Sequence, residues 1–305
     1  MALEPDLLLD RRRLKRQLGF WRGALILGAV LGLAAFFADA LPDEAGLGGQ
    51  HVARLRLTGT ITDNRELIRL IERAGRDSQV RALLVSIDSP GGTVAGGEAL
   101  HTAIRGVRAA GKPVVAVMGA TAASAGYMVA LPAERIFARE ATLTGSIGVI
   151  LQTFEVSELM DRLGLRAESL TSGPLKDQPS PFRPLTEEGR ASLAAVVADM
   201  QSQFVAMVVA GRNMPEARVR ELADGRVVTG RQAVSLGLVD AIGGEAEARS
   251  WLAETHGLPA DLRLRDIDPR GPAERVLSSA STSLWQAGIS ALRAEGWWPG
   301  QMLPR

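Results

Sequence analysis

From His51 onward, short apolar runs alternate with stretches whose apolar positions recur at helical spacing. VARLRL (Val52–Leu57) alternates apolar with other residues, the period of a strand with one covered face. Asn64 to Gly75 gathers Leu67, Ile68, Leu70 and Ile71 on one side of a helix. ALLVSI (Ala82–Ile87) and PVVAVM (Pro113–Met118) are continuous apolar runs, as in strands covered on both faces, with a helix expected between them over Ala95 to Ala110. Gly119 to Ser124 reads as a small-residue turn, Ala125 to Leu131 as a helix and Ile136 to Ala138 as a short strand. Further on, the pattern predicts a helix from Val156 to Leu163, a strand from Arg166 to Leu170 and a loop over Thr171 to Pro184, which holds four prolines. A long helix follows from Thr186, its N-cap, to about Val209, then a shorter one from Met214 to Ala223. Val227 to Ile242 has a strand–helix–strand rhythm. Repetition of this kind predicts an α/β fold with a largely parallel sheet.

The two ends follow a different pattern. Residues 1–17 are polar and basic, with Arg11, Arg12, Arg13, Lys15 and Arg16. Residues 18–40 hold an apolar run broken by Arg22, long enough for a transmembrane anchor. Trp21 and Arg22 suit the membrane interface, and the basic cluster predicts a cytoplasmic N-terminus. The remainder would then lie on the outer, periplasmic side of an inner (plasma) membrane. Two alternatives stand beside the anchor: a cleaved signal peptide ending near Ala38-Asp39-Ala40, and a buried helix. Residues 41–50 read as a linker, 51–268 as the globular domain and 269–305 as a tail with a helical stretch (Ala273 to Ala294) and a Trp297-Trp298-Pro299 end.

Composition narrows the chemistry. The 305 residues contain no cysteine, which excludes disulfides, thiolate metal sites and a cysteine nucleophile. A formal net charge of +1 argues against a general nucleic-acid binder. No cluster of metal-ligand spacing and no Walker or Rossmann glycine pattern in proper context is present, so neither metal nor cofactor is expected. There are three histidines, His51, His101 and His256, and none lies in a local motif for a histidine triad. Of 35 Lys and Arg residues, the lysines are Lys15, Lys112 and Lys176. A lysine among so many arginines stands out because lysine can lose its proton and act as a base.

Several segments could carry catalysis. Ser124 stands among small residues between a buried strand and a helix, where it either caps the helix or acts as a nucleophile beside backbone N–H donors. Ser89-Pro90-Gly91-Gly92 follows a buried strand, either as a tight turn or as an oxyanion-binding loop. Ser146 lies between Gly145 and Gly148. Lys176, in the constrained loop SGPLKD, follows Ser124 by 52 residues. Serine–lysine pairs replace the histidine triad in some hydrolases, provided that desolvation favours the neutral amine. Leu175 and a neighbouring apolar wall would supply it. Lys112, after a helix end, reads as a C-terminal cation.

IDSPGG (Ile87–Gly92), TAASAGYMVA (Thr121–Ala130), TGSIGV (Thr144–Val149), SGPLKDQPSPFRPLTEEGR (Ser172–Arg190) and GRVVTGRQAVSLGLVDAIGG (Gly225–Gly244) occur in this order. Together they resemble the signal peptide peptidase A family, membrane-bound serine–lysine peptidases of the ClpP/crotonase fold. The resemblance implies Ser124 as nucleophile, Lys176 as general base and Ser146 as the group orienting the lysine. It assigns the oxyanion hole to the N–H groups of Gly91 and Ala125, with Gly92 as a further contributor. The family often has a second glycine where this chain has Ala125. Resemblance also implies a homo-oligomer whose protomers share active sites, and hydrophobic peptides, such as remnant signal peptides, as substrates. A non-catalytic membrane scaffold and a crotonase-type acyl-CoA hydratase or isomerase are the alternatives for the same fold.

Overall fold

The computed structural model describes Gly19, residues 21–28 and residues 49–267. Residues 21–28 are helical, with Trp21, Leu25, Ile26 and Leu27 exposed. The rest of the expected anchor and the C-terminal tail lie outside the described residues. The compact unit spans Gln50–Asp268.

Its centre is an eight-stranded sheet. The main path runs β6 (Val227–Thr229), β5 (Leu143–Gly145), β3 (Val114–Ala123), β2 (Val80–Ser89), β1 (His51–Thr58), β8 (Arg263–Ile267). A branch leads from β3 to β4 (Arg135–Ala138) and on to β7 (Ala241–Ile242). All pairings are parallel except β5 with β6. This matches the expected α/β class. The apolar runs of β2 and β3 become the middle of the sheet because helices cover both faces. On one side pack α1 (Arg65–Arg76), α2 (Val94–Ala109), α3 (Ala125–Ala130) and the end of α5 (Glu187–Arg212), around Leu83, Val85, Ala116 and Met118. On the other, α8 (Glu245–His256) buries Ala248 and Leu252 against Ala82, Leu84, Val115 and Val117.

Local chemistry fixes the helix ends. Asn64 accepts from the N–H groups of Glu66 (3.1 Å) and Leu67 (3.0 Å) to start α1. Thr93 and Thr186 cap α2 and α5 through Gly96 and Gly189. Lys112 serves a helix other than the one it follows: its ammonium donates to Ala74 O (2.8 Å) and to Asp77 O, closing the end of α1. Burial pushes its pKa down.

Two expectations need correction. Gly119 to Ala123 is not a turn: β3 continues to Ala123, and only Ser124 turns. The strand changes neighbours on the way, pairing Val115–Met118 with β4 and Thr121–Ala123 with β5. A register shift between Ile87 and Ser89 accommodates the change, and Asp88 accepts from Thr121 N–H (3.0 Å) beside it. Second, Arg166–Leu170 forms no strand; it is irregular, with Leu170 95% exposed. The strands β5 and β8 were not expected, being respectively three residues long and largely polar.

The helix after Ser124 is clamped from behind. Tyr127, the chain's single tyrosine, is fully buried and donates to Leu238 O at 2.8 Å. Arg212, at the end of α5, pairs with Asp240 (2.6 Å) and donates to Gly237 O (3.0 Å). Asp240 in turn accepts from Ile136 N–H at 2.7 Å. Removing the Tyr127 hydroxyl leaves a buried carbonyl without its donor. Tyr127→Phe is therefore expected to lower stability by about 1–3 kcal/mol, read from urea unfolding. An unchanged midpoint would show that the Leu238 carbonyl finds another donor.

Candidate active site

Ser124 lies where β3 ends and α3 begins. Its backbone has φ 54° and ψ −121°, a strained conformation for a residue with a side chain. Its N–H donates to Gly145 O (3.0 Å), which ties the turn to the end of β5. The hydroxyl makes no capping bond to α3, so the capping role considered for it is not what the structure contains. The first helical bonds run from Tyr127 and Met128 N–H to Ser124 O (2.9 and 3.0 Å), so the N–H of Ala125 lies ahead of them. On the other side α2 approaches closely at a glycine: a methyl on Gly97 would stand 3.0 Å from the Ala125 methyl and 2.9 Å from Met128 Sδ.

The glycine turn after β2 faces the same point. Gly91 has φ +120°, and an added Cβ would lie 2.8 Å from Ser124 Cβ and 3.3 Å from its Oγ. Gly91 O accepts from Ile61 N–H (2.8 Å), and Ile61 O accepts from Thr93 N–H (2.9 Å), which pins the turn in place. The Gly91 N–H donates to the buried Ser89 Oγ at 3.1 Å. The Gly91 N–H, expected in the oxyanion hole, is thus engaged by Ser89 in this structure.

Ser146 follows β5 with φ 50°, and its N–H donates to Arg226 O (2.8 Å). Ser124 and Ser146 line one cleft of about 460 Å³. Val149, Ile150 and Val197 give it apolar walls, and Gly148, Gln201, Ala223, Asp224 and Gly225 complete it. Arg226 holds the exposed Asp224 carboxyl well below the usual range, at about 2. Gln201 and Asp224 were not singled out in the sequence. The signal for Gln201 is faint: it lies four residues after Val197 on α5, a glutamine on a mostly apolar face.

Lys176 does not line this cleft. It is exposed, in a loop shaped by its own N–H to Gly173 O (3.2 Å) and by the neighbouring Asp177–Arg183 pair (3.1 Å). Leu175 is itself 38% exposed, so the expected apolar wall is not supplied around the lysine within one chain. The chain thus brings Ser124, Ser146 and the glycine turn together and leaves Lys176 apart. None of the histidines lines the cleft. His101 is buried with Nδ1 3.0 Å from Met128 O, and His256 Nε2 lies 3.2 Å from a Glu134 carboxylate oxygen. Among the described residues there is no cluster of His, Asp and Glu able to hold a metal.

The fold and cleft define an α/β protein with a serine on a strained strand-to-helix turn, next to a glycine-rich loop. The profile of peptidase family S49 matches residues 107–259. A putative protease of Synechocystis sp. is 39% identical over 237 residues, covering 77% of this chain and 85% of that one. A putative signal peptide peptidase SppA of Enterococcus faecium is 33% identical over 218 residues, 67% of this chain and 63% of that one. Protease 4 of Salmonella typhi is 31% identical over 229 residues, and the chain spans 37% of its length. Among solved structures, a membrane-bound stomatin-specific protease aligns with a TM-score of 0.48 at 17% identity, over 73% of this chain and 100% of that one. The chain belongs to peptidase family S49 and is a serine peptidase.

Proposed function

We propose that this serine peptidase is a membrane-anchored endopeptidase whose Ser124 and Lys176 form a catalytic dyad between neighbouring protomers, and that it degrades remnant signal peptides and other small hydrophobic membrane peptides. The strained turn that presents the uncapped Ser124 hydroxyl beside the Ala125 N–H carries the reading. Lys176 takes the proton as Ser124 Oγ attacks the scissile carbonyl, and the oxyanion is held by backbone N–H groups at Ala125 and the glycine turn. The lysine then passes its proton to the leaving amine, and an acyl-enzyme remains. Water, deprotonated by the same lysine, attacks the ester and releases Ser124. Ser146 accepts a hydrogen bond from the amine and keeps its lone pair aimed at Ser124.

Sharing between protomers accounts for the position of Lys176 outside the cleft. It also gives a partner to exposed apolar residues of the segment between Ser146 and the lysine loop, among them Ile150 (83% exposed), Phe154 (72%), Leu163 (65%) and Leu170 (95%). Burial against a neighbour would supply the desolvation that a neutral lysine requires. Apolar cleft walls at Val149, Ile150 and Val197 suit hydrophobic peptides. Anchoring rests on the apolar segment at 18–40. Among the described residues the one helix long and apolar enough to cross a membrane is α5, whose Phe204, Val205 and Val208 are buried in the core.

Mixing two inactive variants tests the shared site. Ser124→Ala and Lys176→Ala protomers, co-assembled at random, should regain peptide hydrolysis at about a quarter of the sites, because each productive site draws one intact residue from each partner. Mixed assemblies as inactive as either parent would place both residues in one chain or remove Lys176 from the mechanism.

A further inference from the structure

Gln201 joins the two rims of the cleft. Its side-chain Nε2 donates to Ala223 O at 2.9 Å and to Ile147 O at 3.4 Å. One carbonyl belongs to the turn that leaves β5 and carries Ser146. The other belongs to the turn between α6 (Glu216–Leu222) and β6. These turns are held together up to this point by the antiparallel ladder, which pairs Gly145 with Val227 and continues as Ser146 N–H to Arg226 O (2.8 Å). Beyond Ser146 the ladder stops, and the Gln201 amide bridges the chains where they part.

The orientation of the amide is dictated by its partners. Turned over, Oε1 would face two carbonyl oxygens, so Nε2 must point at them. The consequence is that Oε1 is buried without a hydrogen-bond partner. An unsatisfied buried acceptor is costly, and an apolar side chain on this face of α5 would avoid that cost. The amide therefore contributes through its two donors. Ser146, the residue before Ile147, has φ 50° and persists in that conformation only where its surroundings over-determine it. Its own N–H bond constrains it on one side, and the Gln201 bond to Ile147 O on the other.

We propose that Gln201 is a positioning residue for Ser146: by tying Ile147 to Ala223 it holds the Ser146 hydroxyl where the lysine amine meets it. This rests on the reading of Ser146 given above. The test is a double-mutant cycle in the full-length assembly, with Gln201→Met, Ser146→Ala and the pair, measured as kcat and KM on a fluorogenic peptide across pH. Gln201→Met should lower kcat by about tenfold or more with KM changed by less than about threefold, and cost less than about threefold in the Ser146→Ala background. It should move the acid limb of the kcat profile in the same direction as Ser146→Ala. Should Gln201→Met fail to assemble, Gln201→Leu, which also lacks both donors and adds no ionisable group, takes its place with the same expectations. Full kcat in the glutamine variant, or an equal loss with and without Ser146, overturns the proposal. Wild-type kcat in Ser146→Ala alone overturns the role of Ser146 itself, and the proposal with it.

Discussion

Ser124→Ala should lower peptide hydrolysis by about a thousandfold or more while the protein stays folded. The hydroxyl makes no capping bond to α3, so its loss removes no structural contact of the kind a cap residue supplies. The strain at φ 54° is a property of the backbone, and alanine inherits it without adding bulk. Activity and stability are thus expected to separate at this position. A structural serine would behave in the opposite way, losing stability and keeping rate. Lys176→Arg is the companion variant. Arginine keeps the charge and length but cannot release a proton near neutral pH, so it should be as inactive as Ser124→Ala. Because Lys176 is exposed in the single chain, its replacement should leave that chain's unfolding midpoint unchanged. Turnover by the arginine variant at the wild-type rate would remove the lysine from the mechanism. A serine-reactive acylating probe supplies an independent check: it should modify Ser124 in the wild-type protein, and modification of another serine instead would displace Ser124 as nucleophile.

Much of this fold is legible in the sequence because its middle strands are covered on both faces. ALLVSI and PVVAVM leave little alternative to buried parallel strands once amphipathic helices separate them. The errors are equally physical. Gly119 to Ala123 consists mainly of small residues of low strand preference, yet it extends β3, because β5 and the shifted end of β2 supply the hydrogen bonds. A small residue at 119 reflects close packing: a Cβ there would lie 3.1 Å from Asp88. Arg166–Leu170 has a strand-like pattern but no neighbouring strand among the described residues, and a strand without a partner is not formed. At the site, Ser124, Ser146 and the glycines stand out through the order in which five short motifs occur, because a small-residue turn at a strand end is common by itself. Gln201 does not, because what distinguishes it is the pair of carbonyls it meets from distant turns. The rarity of lysine brings out Lys176, but no local pattern encodes the neighbour that the proposed dyad requires around it.

The two glycines of the turn after β2 should respond differently to the same small change. Gly92→Ala would set a methyl 1.9 Å from Ile61 O and 2.6 Å from Ile61 N. Those atoms belong to the paired backbone bonds that pin the turn, Ile61 N–H to Gly91 O and Thr93 N–H to Ile61 O, so neither can retreat without breaking them. The expected result is a loss of about 3 kcal/mol or more in unfolding free energy, with activity lost along with the structure. Gly91→Ala acts on the chemistry more directly. The new methyl would stand 2.8 Å from Ser124 Cβ, and φ +120° is a conformation that alanine rarely adopts. The turn is expected to shift away from the serine, lowering kcat/KM by about a hundredfold at a stability cost of about 1–3 kcal/mol. Each variant therefore needs both urea unfolding and steady-state kinetics. Wild-type kcat/KM in Gly91→Ala would show that the turn does not need to approach Ser124 during catalysis. The oxyanion would then rest on the Ala125 N–H alone, in keeping with the Gly91 N–H being held by Ser89 Oγ at 3.1 Å.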